Sequence, residues 1–168
     1  MRTNISVAQQ FMARDLSFSN IQIGYVFSAF LIGYTIFQVP AGLLGDRFGP
    51  RIVLTISGVW WGVTTLLTGL LPGFAVKGTA LTLGSLLLLR FLHGMGEAGT
   101  FPVAMTAVAE WFRPSEHALV NALIFTGSTL GAAFSPPLVA YIMNALGWRE
   151  TFYFTALPPV VLAAVWWR

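Results

Sequence analysis

Four stretches of this chain contain no Asp, Glu, Lys or Arg: Ile21 to Leu44, Ile52 to Leu71, Ala118 to Leu146 and Thr151 to Trp167. Each approaches or exceeds the about 17–25 residues that a helix needs to cross a bilayer. A fifth stretch, from about Thr79 to Val108, is apolar except for Arg90, His93 and Glu97. Ahead of them Ile5 to Ala13 is apolar but short, and it reads as the second half of a helix that begins upstream. Only 9% of the residues are charged and 56% are hydrophobic, with a mean hydropathy of +0.75. A soluble domain carries about 25% charged residues, so this chain cannot coat itself for water. The expected fold class is an all-α integral membrane protein in which residues 1–168 form one bundle with a truncated first helix, seated in a lipid bilayer.

Several function classes fall away at once. The start lacks a basic segment followed by an apolar core and a small-residue cleavage site, so a signal peptide is not expected. With no cysteine there is neither a disulfide framework nor a thiolate metal site. The isoelectric point near 9.8 reflects a surplus of three positive charges spread along the chain. Nucleic-acid binding would need a basic stripe, and none is present.

The connections are short: Arg14 to Asn20, Gly45 to Arg51, Pro72 to Gly78, Ala109 to Glu116 and Gly147 to Glu150. Successive spans are therefore hairpin neighbours. If the first half-helix ends outside, Arg47, Arg51, Arg113 and Arg168 are cytoplasmic, against Arg14, Lys77 and Arg149 outside, a small positive-inside excess. Trp111, Trp148, Trp166 and Trp167 sit at span ends as an aromatic belt does, whereas Trp60 and Trp61 lie within a span and face lipid or a neighbouring helix. A faint internal echo links Phe37, Pro40, Gly49 and Arg51 to Phe134, Pro137, Gly147 and Arg149, about 97 residues on. Inverted repeats of this kind are a known transporter design.

Between two spans lies Gly42-Leu-Leu-Gly45-Asp46-Arg47-Phe-Gly49-Pro50-Arg51. Read as a tight loop, it uses its glycines for close helix approach and positive φ, and its charges as a latch at the membrane face. This stretch resembles the G-x-x-x-D-R-x-G-x-R/K loop between helices two and three of the major facilitator superfamily. The segments Arg2-Thr-Asn-Ile-Ser-Val-Ala, Gly24-Tyr-Val-Phe-Ser-Ala-Phe, Arg90-Phe-Leu-His-Gly-Met-Gly-Glu97-Ala-Gly-Thr-Phe101-Pro102 and Trp111-Phe112 are similar to its anion:cation symporter branch, home of sialin and of bacterial hexuronate and galactonate carriers. The resemblance covers essentially the whole chain. It implies twelve helices with a cytoplasmic N-terminus, of which residues 1–168 supply the end of helix one through helix six, and a C-terminal six-helix half as partner. It also implies a bacterial inner membrane. Two departures stand out: Met1 occupies a position where many members carry aspartate, and His117 follows Glu116 where arginine is common. The second weakens the latch of Arg113 and Glu116 with the Gly42–Arg51 segment.

Within the fifth stretch, Gly94-Met-Gly96-Glu-Ala-Gly99 imitates a dinucleotide-binding fingerprint. That reading needs a preceding strand and a βαβ unit; small residues that let membrane helices meet backbone to backbone explain it better. Arg90 and Glu97 are seven residues apart, hence on one helix face and about 10 Å apart along the axis, with His93 flanking them. A charge at mid-bilayer costs about 2.5–3.5 kcal/mol even on insertion scales, so such residues usually face a cavity and serve function. A buried structural pair is the plainer reading, and for His93 alone a polar helix contact is. No third ligand at depth supports a metal, and no cofactor is implied. Tyr34 and Gln38, one turn apart, and Ser128 between Gly127 and Gly131 read as interhelical hydrogen-bonding groups; by resemblance Tyr34 and Ser128 match positions that line the substrate cavity. The Asn4-Ile-Ser6 sequon falls in a membrane segment and carries no weight.

Arg2 plus Arg90 minus Glu97 leaves one positive charge at depth, which a small carboxylate would neutralise. The expected function is therefore proton-coupled symport of a small organic anion such as a sugar acid, with Arg90 and Arg2 binding the anion, Glu97 carrying the proton, and Asp46, Arg47 and Arg51 biasing two access states. A non-transporting membrane scaffold is the rival. An intramembrane enzyme would need a nucleophile and base at depth, which the sequence lacks.

Overall fold

A computed structural model describes the backbone of residues 2–74 and 79–168 and the side chains of 6–9, 11–70 and 79–168. All its elements are helices: α1 Arg2–Leu16, α2 Asn20–Phe48, α3 Pro50–Phe74, α4 Ala80–Glu97, α5 Thr100–Trp111, α6 His117–Leu146 and α7 Trp148–Trp167. Three of them are long and apolar enough to cross a membrane by length and composition: Asn20–Phe48, Pro50–Leu70 and His117–Leu146.

Helix α2 begins with a reciprocal cap. The backbone N–H of Ser19 donates to Gln22 Oε1 at 2.8 Å, and Gln22 N–H donates to Ser19 Oγ at 3.3 Å, which satisfies two donors that a helix start leaves orphaned. Helix α2 then continues through Asp46 and Arg47 to Phe48. This corrects the expected loop from Gly45 to Arg51: one residue, Gly49, breaks the chain between α2 and α3, at φ +81°. Gly147 does the same between α6 and α7, at φ +104°. Both conformations are strained for any residue with a Cβ. The faint repeat in the sequence thus coincides with two helix–glycine–helix units, α2–α3 and α6–α7.

The fifth apolar stretch is not one helix. It breaks at Ala98–Gly99 into α4 and α5. Pro102 is the cause, because it has no N–H for the Ala98 carbonyl and its ring crowds the preceding turn. The break is slight: Ala98 N–H still donates to the Gly94 carbonyl and Val103 N–H to the Gly99 carbonyl, both at 3.0 Å.

The most extensive pairings are α3 with α7 and α2 with α4. Glycines set the second. A Cβ on Gly33 would overlap the Phe91 carbonyl, and one on Gly94 would overlap the Phe30 carbonyl, so α2 and α4 touch backbone to backbone. Gly96 lies under the Trp60 ring and Gly99 against Ala41. The fingerprint-like spacing is therefore a helix-packing surface, and Trp60 faces a neighbouring helix, its indole N–H donating to the Leu92 carbonyl at 2.8 Å. Gly58, Gly62 and Gly69 admit α7 against α3 in the same way.

An apolar core joins Ala8, Met12 and Leu16 of α1 to Val26 of α2, Leu86 of α4, Met143 of α6 and Phe152 of α7. Around it the surface is strongly apolar, with Leu31, Val39, Leu81, Leu123, Phe134 and Leu162 all exposed. A water-soluble monomer rarely exposes such continuous apolar area. The central part of α6 buries no residue against the other helices.

Candidate functional site

The buried polar side chains gather where α3, α4 and α7 meet. Helix α3 contributes Thr64, Thr65 and Thr68, α4 contributes Arg90 and His93, and α7 contributes Thr151. Threonine is accommodated in a membrane helix because its hydroxyl can donate to the carbonyl four residues back. Thr64 Oγ1 donates in this way to the Trp60 carbonyl, Thr68 to Thr64 and Thr151 to Gly147, at 2.7–2.8 Å. Each hydroxyl oxygen keeps acceptor capacity for a partner on another helix.

Arg90 is 4% exposed. Its guanidinium carbon stands 5.9 Å from the centre of the Phe152 ring on α7, and its buried Nε has no hydrogen-bond partner among the described residues. His93, 2% exposed, has Nδ1 2.6 Å from Thr64 Oγ1. Its other nitrogen, Nε2, lies 3.8 Å from Glu97 Oε2 one turn further on. That separation is beyond a hydrogen bond. The Glu97 side chain is 17% exposed, so it is the member of the trio that reaches toward the surface of the bundle, next to the α4–α5 break.

The remaining expected site residues lie elsewhere. Tyr34 is half-buried and stacked on Phe30, ring centres 6.0 Å apart, and its backbone N lies against Gly94. Gln38 is exposed and lines a shallow groove with Gly42, Asp46 and Pro102. Ser128 is exposed on α6, which packs chiefly on α1, α5 and α7. Arg2 is helical, but its side chain lies outside the described residues, as does Lys77 altogether.

The expected charged latch has other partners. Asp46 accepts from Thr106 Oγ1 at 3.2 Å, Arg47 lies over the neighbouring Phe48 ring, and Arg51 donates to the Trp167 carbonyl. Glu116 accepts from the Arg113 backbone N–H at 3.0 Å, while the His117 ring reaches the Phe112 carbonyl. Gly45 takes the role given to the glycines of this segment: a Cβ there would come within 2.6 Å of Val103 on α5. Sequence reasoning missed the threonines of α3, and it missed the ion pair of Asp15 with Arg149 at 3.0 Å, which ties the end of α1 to the start of α7.

The family model of the Major Facilitator Superfamily matches residues 1–168. The chain belongs to this superfamily. Among curated members of the superfamily it is 39% identical over 164 residues to a probable sulfoacetate transporter of Cupriavidus necator, with 98% of the chain and 34% of that protein covered. It is 35% identical to a probable galactarate/D-glucarate transporter and 33% identical to a hexuronate transporter, both of Bacillus subtilis, covering 98% and 99% of the chain and 36% and 37% of the relatives. The chain thus spans about a third of the length of the superfamily members it matches. Those relatives are transporters and not enzymes, and with its apolar helices the chain is a membrane protein.

Proposed function

We propose that the chain is the N-terminal half of a bacterial inner-membrane carrier that moves a small organic anion together with a proton. The observation that carries this reading is the trio Arg90, His93 and Glu97, three ionisable side chains held at depth on α4. A buried charge is costly unless something compensates it. Arg90 meets an aromatic face and keeps donor capacity on its guanidinium, so a substrate carboxylate is a fitting counter-charge, with Arg2 as a second cation. Relatives named for sulfoacetate, galactarate, glucarate and hexuronate suggest the class: an acid of two to six carbons with hydroxyl or sulfonate groups.

Coupling follows from charge balance. An arriving anion engages Arg90 and Arg2, and Glu97 carries the proton that travels with it. For a dianion such as an aldarate, loading anion and proton together takes the site from one net positive charge to none, and the loaded site can cross between access states. Asp46, on the last turn of α2, meets α5 and Arg51, on the first turn of α3, meets α7 at one end of the bundle; with Arg47 they bias the relative movement of the two halves. A second six-helix half would lie against the exposed face of α6, with Ser128, and complete the cavity near Tyr34 and Gln38.

The test is uptake by the full-length carrier in proteoliposomes with an inward proton gradient. Accumulation of an acid of this class above the no-gradient control is expected. Equal uptake with and without the gradient would remove proton coupling from the account.

A further inference from the structure

Two indole N–H groups line one cleft and have no acceptor. Trp61 Nε1 on α3 and Trp166 Nε1 on α7 are shut off from the surface and meet no hydrogen-bond partner among the described residues. A buried tryptophan usually finds one, as Trp60 does at the Leu92 carbonyl. Both rings line a cleft of about 510 Å³ between α3, α5 and α7, with Leu54, Trp111, Leu162 and Val165 among its walls. That volume is within the about 300–1,000 Å³ of sites that hold an organic ligand. Trp111 and Trp166 stack with ring centres 5.0 Å apart, and Trp111, Leu162 and Val165 are exposed at the surface of the bundle.

The position of the cleft selects its occupant. Trp111 is the last residue of α5 and Trp166 the last but one of α7, at the end of the bundle where Arg51 donates to the Trp167 carbonyl and stands 5.6 Å from the centre of the Trp167 ring. Tryptophans at span ends mark the level of the lipid headgroups. Arg51, Arg113 and Arg168 border the lining residues in sequence, against Glu110 and Glu116, which leaves an excess of positive charge. Apolar walls, two donors without acceptors and a cationic rim suit an amphiphile with a hydrocarbon tail, neutral acceptor oxygens and an anionic head. A phospholipid carries acyl chains, ester carbonyls and a phosphate in that order.

We propose that the cleft between α3, α5 and α7 holds one phospholipid of the bilayer, with an acyl chain along Leu54, Leu162 and Val165, ester oxygens accepting from the Trp61 and Trp166 indoles, and the phosphate toward Arg51 and Arg168. The cleft also reaches Thr100, the first residue of α5 and about 16 Å along the helix from Trp111. The Thr100 hydroxyl donates to the Glu97 carbonyl at 2.8 Å, so the lipid braces α5 at the break that follows α4. This site stands whether or not the carrier moves protons.

The chain, purified in detergent and stripped of lipid, is titrated with phosphatidylglycerol and followed by native mass spectrometry and by proton–nitrogen NMR of its six tryptophan indoles. Single Trp61→Phe and Trp166→Phe variants assign the two resonances. One saturable lipid adduct is expected, and the Trp61 and Trp166 indole protons should move downfield as it fills while that of Trp60 stays. Phenylalanine keeps an aromatic wall but has no donor, so the double variant should bind the lipid about tenfold or more weakly. Diacylglycerol has the chains and esters but no phosphate, and it should also bind about tenfold or more weakly. Indole resonances that the lipid leaves in place overturn the site, a result read on the unaltered chain and independent of how the variants fold. A double variant that binds as the wild type does, or diacylglycerol that binds as well as phosphatidylglycerol, overturns it too. If the double variant loses a dimer and keeps its lipid, a second copy of the chain fills the cleft and the proposal fails.

Discussion

Arg90 and Glu97 belong to one helix and should fail in different ways. Glu97→Gln keeps the shape of the side chain but removes its ionisable oxygen, so in the full-length carrier exchange of labelled for unlabelled substrate should survive while accumulation against a gradient disappears. Arg90→Lys keeps the charge but loses the planar fork that can hold a carboxylate through two bonds, so substrate affinity should fall about tenfold or more. Equilibrium binding and counterflow assays separate the two outcomes; equal loss of binding in both variants would contradict the assigned roles. The trio was legible in the sequence because three ionisable residues stand out in an apolar run. Thr64, Thr68 and Thr151 were not, since a threonine that bonds its own helix at the fourth carbonyl back looks neutral in any membrane span. Only the packing of α3 against α4 shows that Thr64 has an imidazole as its second partner.

Helix boundaries were harder to read than helix identities. Asp46 and Arg47 suggested a loop, yet α2 runs for 29 residues, about 43 Å at 1.5 Å per residue, against a hydrocarbon core of about 30 Å. A helix that overshoots the core can carry charges on its last turn without ending. The break after Glu97 was hidden for the opposite reason, because Pro102 loosens the helix without an obvious change in hydropathy. The close pairing of α2 and α4 supports a direct stability test. Gly94→Ala would push a methyl group into the Phe30 carbonyl, whereas a Cβ at Gly84 meets nothing within 4 Å. In detergent, Gly94→Ala should lower the midpoint of thermal unfolding by several degrees and reduce the monodisperse fraction, and Gly84→Ala should leave both near wild type. Similar behaviour of the two would argue against the backbone contact.

For the molecule as a whole, the small excess of arginines at the α2–α3 and α5–α6 ends predicts that those ends are cytoplasmic, which labelling tests. Single cysteines at Phe48 and Ser115 should resist an impermeant thiol reagent added to intact cells, and one at Ser19 should react; the reverse pattern would invert the bundle. Membership of the superfamily and an all-helical membrane fold were legible from charge-free runs and the Gly42–Arg51 motif, because both are local in sequence. What α6 faces was not, since an apolar helix reads alike whether it meets lipid or protein. The central claim, that this bundle belongs to a proton-coupled anion carrier, is tested most directly by substrate-driven proton flux. Full-length carrier reconstituted around a pH-sensitive dye is given sulfoacetate, hexuronates and aldarates in turn. At least one acid added outside should drive saturable acidification of the dye-filled interior, and Glu97→Gln should abolish that signal while substrate exchange continues. Saturable uptake with no accompanying proton movement, or full proton flux in Glu97→Gln, would contradict it.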